Sequence, residues 1–484
     1  MRKQQPKLPT EDPRRYLKGV IKVIHDFYPD IYSAFSDVIK DPRDLRYVTY
    51  PLYVILSCIL FKNILSFSSM HSFQMAYDNA NFINNILHSI GVETITRLPV
   101  AKTINDCLSL LPTVFLQDLL YRIVYAGIRS KRLDAYRFRA GGQYYWIIAV
   151  DATQLYQGSR KINNQCLFRI HKKGTAEEYT EYYISVLCAH IVLLGTSLSL
   201  PFFFVMIENS AEDEKRQQNM GAEKIKQDCE LKAFKRFAER LKKKCPRLPV
   251  CLLMDALYVS KPVMDIAKNN GWALIIRYKE GAYREIQEIV DGLKKHASQV
   301  TLPNQIGIEN IFYFNDLELE GGRYINYLEC TFNKDKMEKP SKSNKGRKAS
   351  RTMPEKEVQF QWVSTIPFET QMVLRFINTA RSRWNIEETF NRYKHWTNDI
   401  THMCSWNTNA IKNHFAMILI AEYFVTLYEL FTFVVMNKAY CVKSMAEKYR
   451  DGIKAPTWIE LQDVVFSQWE SMAKYRRPKR QAVG

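Results

Sequence analysis

The segment Arg383-Trp384-Asn385-Ile386-Glu387-Glu388, followed by Lys394, holds residue types that could do chemistry. On a helix, Arg383 and Lys394 stand four residues before and seven after Glu387, so all three project from one face. That face offers a carboxylate flanked by two cations. Two aspartates lie upstream, each ending an apolar run. Asp151 closes Trp146-Ile147-Ile148-Ala149-Val150, and Asp255 closes Val250-Cys251-Leu252-Leu253-Met254. Three acids on two strand ends and one helix are what phosphodiester chemistry with two divalent cations needs. Hard Mg²⁺ prefers carboxylates and keeps waters, and Mn²⁺ can replace it. In this reading Asp151 bridges two ions, Asp255 holds one and Glu387 the other. Arg383 and Lys394 cannot ligate a cation, but they can grip phosphates beside it. Singly, each aspartate also reads as a cap or turn residue; the joint arrangement favours the metal reading.

These acids need elements to position them. Residues 1–140 read as helical, with apolar side chains at three- and four-residue steps over Tyr16–Phe27, Pro51–Leu65, Asn81–Ile90, Ala101–Leu111 and Val114–Ser130. From Gln143 the rhythm changes. Tyr144–Val150, Tyr182–Leu194 and Leu200–Ile207 are apolar runs suited to strands. A charged helix over Gly221–Lys244 follows, then strand Leu248–Met254, helix Lys261–Asn269 and strand Trp272–Tyr278. Three strands, helix, strand, helix, strand is the order of an α/β RNase H-like core. In that topology the strands ending at Asp151 and Asp255 are neighbours. A helix over Arg284–His296 leads into a β-rich insertion, with strands at Val300–Leu302, Ile311–Leu319, Arg323–Phe332 and Val358–Ile366. One long helix over Thr370–Thr397 then carries Glu387. Asp228 and Glu230 sit among many Lys and Arg and read as solvated helix-face acids in ordinary ion pairs.

The resulting organisation is a helical N-terminal domain (1–140), a first catalytic part (141–296), a β-rich insertion (297–368), a second catalytic part (369–440) and a basic C-terminal region (441–484). Lys and Arg exceed Asp and Glu by 69 − 50 = 19, which points to a polyanionic partner. Residues 334–356 hold nine Lys/Arg and three Asp/Glu, Arg347 and Lys348 among them. This tract reads as a loop or DNA-backbone arm. The ten cysteines include no C-x-x-C pair, so they read as reduced thiols of a cytoplasmic protein, not as a disulfide framework or zinc site. The polar N-terminus does not read as a signal peptide, and Pro51–Phe67, broken by Lys62 and Asn63, does not read as a membrane span.

On Asp151, Asp255 and the Arg383-x₃-Glu387-x₆-Lys394 pattern, the chain resembles DDE transposases with an RNase H-like core. More narrowly it is similar to bacterial insertion-sequence-four-type transposases, whose signature is Tyr-x₂-Arg-x₃-Glu-x₆-Lys. Ala380 stands where that signature has Tyr. The resemblance spans roughly residues 144–430. It implies Asp151, Asp255 and Glu387 as catalytic metal ligands, two Mg²⁺ ions, and double-stranded DNA as substrate. Cleavage at terminal inverted repeats and strand transfer into target DNA follow, in a homodimeric synaptic complex. Trp362 and Trp384, 25 and 3 residues before Glu387, match the tryptophans that hold a flipped base in hairpin-forming relatives. The rival expectations are a nuclease of the same fold without transposition, and a domesticated DNA-binding protein that no longer cuts.

Overall fold

The strand carrying Asp151 is the longest in the protein's sheet. In the computed structural model, which describes residues 12–37, 40–209, 227–295, 307–333 and 357–456, it runs through the aspartate instead of stopping there. The strands are β1 (Phe138–Ala140), β2 (Gln143–Gly158), β3 (Leu167–His171), β4 (Tyr179–Val192), β5 (Ser199–Ile207), β6 (Val250–Met254), β7 (Ala273–Tyr278), β8 (Ile308–Leu319), β9 (Arg323–Asn333) and β10 (Glu357–Ser364). The expected strand end at Asp151 is therefore corrected. The apolar run stops at Val150, but the residues after it keep pairing with β4. A strand needs apolar side chains on both faces only where both are covered. β3 was not anticipated; its Leu-Phe-Arg-Ile-His sequence carries little apolar contrast.

The strands form one sheet in the order β3-β4-β2-β6-β7-β10-β9-β8, with β5 also on β4 and β1 on β2. Within it, β5-β4-β2-β6-β7 is the order of an RNase H-like core. β2, β4 and β5 pair antiparallel, while β6 and β7 are added in parallel. The β-rich insertion extends this same sheet, because β10 pairs with β7. Between β8 and β9, Gly321 and Gly322 both adopt positive φ, which lacks a Cβ penalty only for glycine.

The helices are α1 (Pro13–Phe27), α2 (Ile31–Asp37), α3 (Leu52–Ile64), α4 (Met70–Met75), α5 (Ala80–Ser89), α6 (Ala101–Leu110), α7 (Thr113–Arg129), α8 (Glu230–Lys244), α9 (Lys261–Asn270), α10 (Arg284–Lys294), α11 (Val373–Arg381), α12 (Trp384–His395), α13 (Thr408–Glu429) and α14 (Val442–Ile453). The single helix expected over Thr370–Thr397 is instead a 3₁₀ turn, α11 and α12, interrupted at Ser382 and Arg383. The break lets α12 leave α11's direction and lie across β2, β4 and β5.

Helix α13 is the centre of the packing. It is apolar all round and buried against α1, α3, α6, α7 and β5. Its length and hydropathy would suit a membrane span, but 89% of its apolar window is covered by the protein itself. It also buries two acids, Glu422 and Glu429, which hold Arg392 of α12; the Arg392–Glu422 contact is 3.2 Å. Cys58, Cys188, Cys251 and Cys330 are buried free thiols.

A second support lies under α12. His190 of β4 is fully buried, with Nδ1 3.2 Å from Ser199 Oγ, which in turn lies 2.9 Å from Thr389 Oγ1 of α12. Its ring packs edge-on to Phe390. Burial lowers the pKa of His190 to about 3.

Both supports yield predictions. Removing Arg392 leaves two buried acids uncompensated, so Arg392→Ala should lower unfolding free energy by about 3–5 kcal/mol in chemical denaturation. His190 is neutral when folded and has its pKa depressed below the unfolded value. Its contribution is full above about pH 6.5 and is lost as pH falls toward 3. His190→Gln should therefore flatten the acid side of the stability curve, by at most about 1.4 kcal/mol per pH unit. Identical slopes in variant and parent would exclude this role.

Candidate active site

Strand register brings the two aspartates together. β2 and β6 run parallel with Trp146 beside Val250 and Ala149 beside Leu253. Two residues further, the same offset sets Asp151 beside Asp255, on strands about 4.8 Å apart. Asp255 stands just past β6 as the N-cap of a 3₁₀ turn, Ala256–Tyr258, where its Oδ1 accepts from Leu257 N at 3.0 Å. Asp151 Oδ1 accepts from Ala152 N at 2.9 Å.

Helix α12 delivers the third acid. Arg383, at its N-cap, pairs with Glu387 one turn on, and its Nη1 lies 3.5 Å from Asp151 Oδ2. One guanidinium thus ties the helix carboxylate to the strand carboxylate. Glu388 points elsewhere: it accepts from the Trp384 indole at 3.0 Å. Lys394 also belongs here. Burial lowers its pKa while the negative charge of Asp151 opposes the shift. Burial pushes Asp151 up to about 6; Arg383 opposes, and the charges of Glu387 and Asp255 add to the rise.

Two residues that the sequence reading did not assign to the site lie beside it. Glu230, the first residue of α8, was expected on a solvated face. It instead accepts from the hydroxyl of fully buried Tyr258 at 3.4 Å. Burial and the charges of Asp151 and Asp255 raise it to about 7. Its neighbour Asp228 is buried too, and is held by Arg236 at 2.6 Å as a structural ion pair. The second is Arg277 of β7. Met254 pairs with Ile276, so the next position sets Asp255 beside Arg277. Its guanidinium lies over Phe360 at 4.0 Å, and its pKa is lowered by burial and by Arg383 nearby. The signal for Arg277 was a cation ending an apolar strand at the position where Asp255 ends its own. For Glu230 no sequence signal separates it from the other charges of α8.

The remaining expected residues divide. Trp384 is 58% exposed on the rim of the site. Trp362 is 2% exposed and stacks on Phe360 at 5.7 Å. An indole so covered presents no open face to a flipped base in this arrangement. Ala380 is buried in α11 and supplies no hydroxyl where the signature tyrosine would stand. Arg347 and Lys348 lie outside the described residues.

An all-carboxylate donor set suits a hard divalent cation whose other positions are filled by water. Among the described residues no group of three or more His, Cys, Asp or Glu side chains is arranged to hold a metal ion. Arg383 stands between Asp151 and Glu387, supplying positive charge where these acids crowd. The raised Asp151 and Glu230 mark a surplus of negative charge that a cation would relieve. By the chemistry of its donors, the carboxylate set therefore suits such an ion.

Residues 227–422 match the family model described as a transposase DDE domain. The match takes in Glu230, Asp255, Arg277, Arg383, Glu387 and Lys394, and begins after Asp151. It supports a DDE transposase, a family that works with divalent metal and DNA. Among curated proteins, none matches the chain.

The two tryptophans now predict opposite outcomes. Trp362→Ala should cost about 3–5 kcal/mol of stability, as large core truncations do. Trp384→Ala should leave the melting temperature unchanged and weaken DNA binding, since a base stacked on an indole contributes about 1–3 kcal/mol. Melting curves and DNA titrations of both variants test the pair; a destabilised Trp384→Ala would remove it from the rim.

Proposed function

We propose that the protein is a cut-and-paste DNA transposase of the insertion-sequence-four type. It cleaves phosphodiester bonds at the ends of a mobile element and joins the freed 3′-hydroxyls to target DNA. The observation that carries this reading is the meeting of Asp151 with Asp255 by register and with Glu387 through Arg383, in a chain whose residues 227–422 match a transposase DDE domain. Asp151, Asp255 and Glu387 would hold Mg²⁺, for which Mn²⁺ substitutes. Bound there, the ions would neutralise charge developing on the phosphate and activate the attacking oxygen.

The chain's own residues do the rest. Arg383, Lys394 and Arg277 surround the acids with positive charge and grip the phosphates flanking the scissile bond. Arg277 is placed for this by the register that sets it beside Asp255 and by its nearness to Arg383. Trp384 offers a stacking face to a displaced base. Hydrolysis and strand transfer use one site because both are in-line attacks on phosphorus, first by water and then by a 3′-hydroxyl. The N-terminal residues 1–140 bind element ends or join two copies in a synaptic homodimer. Arg347, Lys348 and the tract around them bind DNA backbone. The surplus of 19 positive charges supports such a partner. We place the protein in the bacterial cytoplasm, on the nucleoid when bound.

The test is cleavage of duplex DNA carrying the element's ends. Asp151→Asn, Asp255→Asn and Glu387→Gln should each lose at least about 10³-fold in cleavage rate, because in-line displacement depends on the ions they hold. Binding of the same DNA should stay within about threefold, since the basic surface is untouched. Glu388→Gln should cut normally. Parent-like cutting by any of the first three would take that residue out of the site.

A further inference from the structure

Helix α8 enters the site end-on. Its first residue, Glu230, follows Cys229, which offers no side-chain cap. An acid at a helix N-terminus commonly serves the helix dipole and faces water. Glu230 does not fit that use well. Tyr258, its hydrogen-bond partner, is fully buried and belongs to the turn that Asp255 itself caps. No ion pair to Glu230 occurs among the described residues, although α8 is crowded with Lys and Arg. The helix uses those cations elsewhere: Arg236 on Asp228 and Lys244 on Asp118. A carboxylate has thus been brought toward two others with a neutral hydroxyl as company.

Resting on the function proposed above, we infer that Glu230 is a fourth carboxylate of the same cation site, aimed by the buried hydroxyl of Tyr258. The arrangement joins three pieces of the fold. Asp151 comes from β2, Asp255 from the end of β6, and Glu230 from the helix that connects β5 to β6. Glu387 approaches from α12. Tyr258 donates one hydrogen bond to Glu230, leaving the other carboxylate oxygen for a cation or its bound water. The raised pKa of Glu230 agrees with a group whose charge awaits compensation.

The experiment measures Mn²⁺ binding to DNA-free full-length protein by the free-ion electron paramagnetic resonance signal. It is paired with the Mg²⁺ concentration giving half-maximal cleavage. Glu230→Gln keeps the shape and an acceptor for Tyr258 but removes the charge. It should weaken Mn²⁺ binding about 10–100-fold, the range for groups that support a metal's ligands. The half-maximal Mg²⁺ concentration should rise alongside, with melting temperature and DNA affinity unchanged. Tyr258→Phe should move both readouts the same way by less. Glu239→Gln, exposed on the same helix, should move neither.

Parent-like Mn²⁺ binding in Glu230→Gln, with binding lost in Asp151→Asn and Asp255→Asn, would overturn the inference and leave the proposed function intact. Parent-like binding in all three would instead defeat the carboxylate site itself. Should Glu230→Gln fail to fold, Glu230→Asp keeps the charge and shortens the reach; parent-like binding there also counts against the role.

Discussion

The parallel pairing of β2 with β6 is the constraint on which the site depends. A parallel ladder fixes one offset along two strands, and here the offset aligns Asp151 with Asp255. Slipping either strand by one residue would turn its aspartate to the other face. The register is protected by burial. Trp146 to Val150 and Val250 to Met254 are covered on both faces, so a slip would draw an adjoining carboxylate into apolar surroundings. The same argument carries to β7, where the next register step brings Arg277 beside Asp255.

Gathering acids in one place has an electrostatic cost. Burial and mutual repulsion raise both Asp151 and Glu230. The protein offsets this from one direction, with Arg383 and Lys394 on the helix that also brings Glu387. Arg383 sits between Asp151 and Glu387, so positive charge is interleaved with the acids.

Helix α12 must be held still for this to work, because a loosely held site loses its productive geometry. Its far side is anchored in the interior. Arg392 is clasped by Glu422 and Glu429 of α13, and Thr389 joins the Ser199–His190 chain on β4 and β5. Asn385 adds a 3.0 Å bond to the Thr196 carbonyl in the β4–β5 connection. Helix α13 packs on the N-terminal helices, so one apolar core supports both the helical region and the catalytic sheet. A buried charge cluster tolerates few alternative packings, which suits a helix whose position matters.

Much of the fold was legible in the residues. The continuous apolar runs of β6 and β7 and the periodic stripes of α1, α5 and α9 are local signals, and they gave boundaries close to those observed. Helix α9 ends at Gly271, which takes φ 69°, a conformation open to glycine. Asp151, Asp255 and Glu387 could be singled out because each breaks a local pattern. What the residues could not express was set by packing. Strand β2 passes Asp151 because β4 continues beside it, not because of its own sequence. The break at Ser382–Arg383 follows from where α12 must lie on the sheet. Trp362 is buried and stacked on Phe360, and an indole reads the same in a core as on a rim. Glu230 looks like any other acid of a charged helix until the chain brings Asp255 and Tyr258 to its end. Charge and periodicity are properties of a segment, whereas the company a side chain keeps is decided only when distant segments meet.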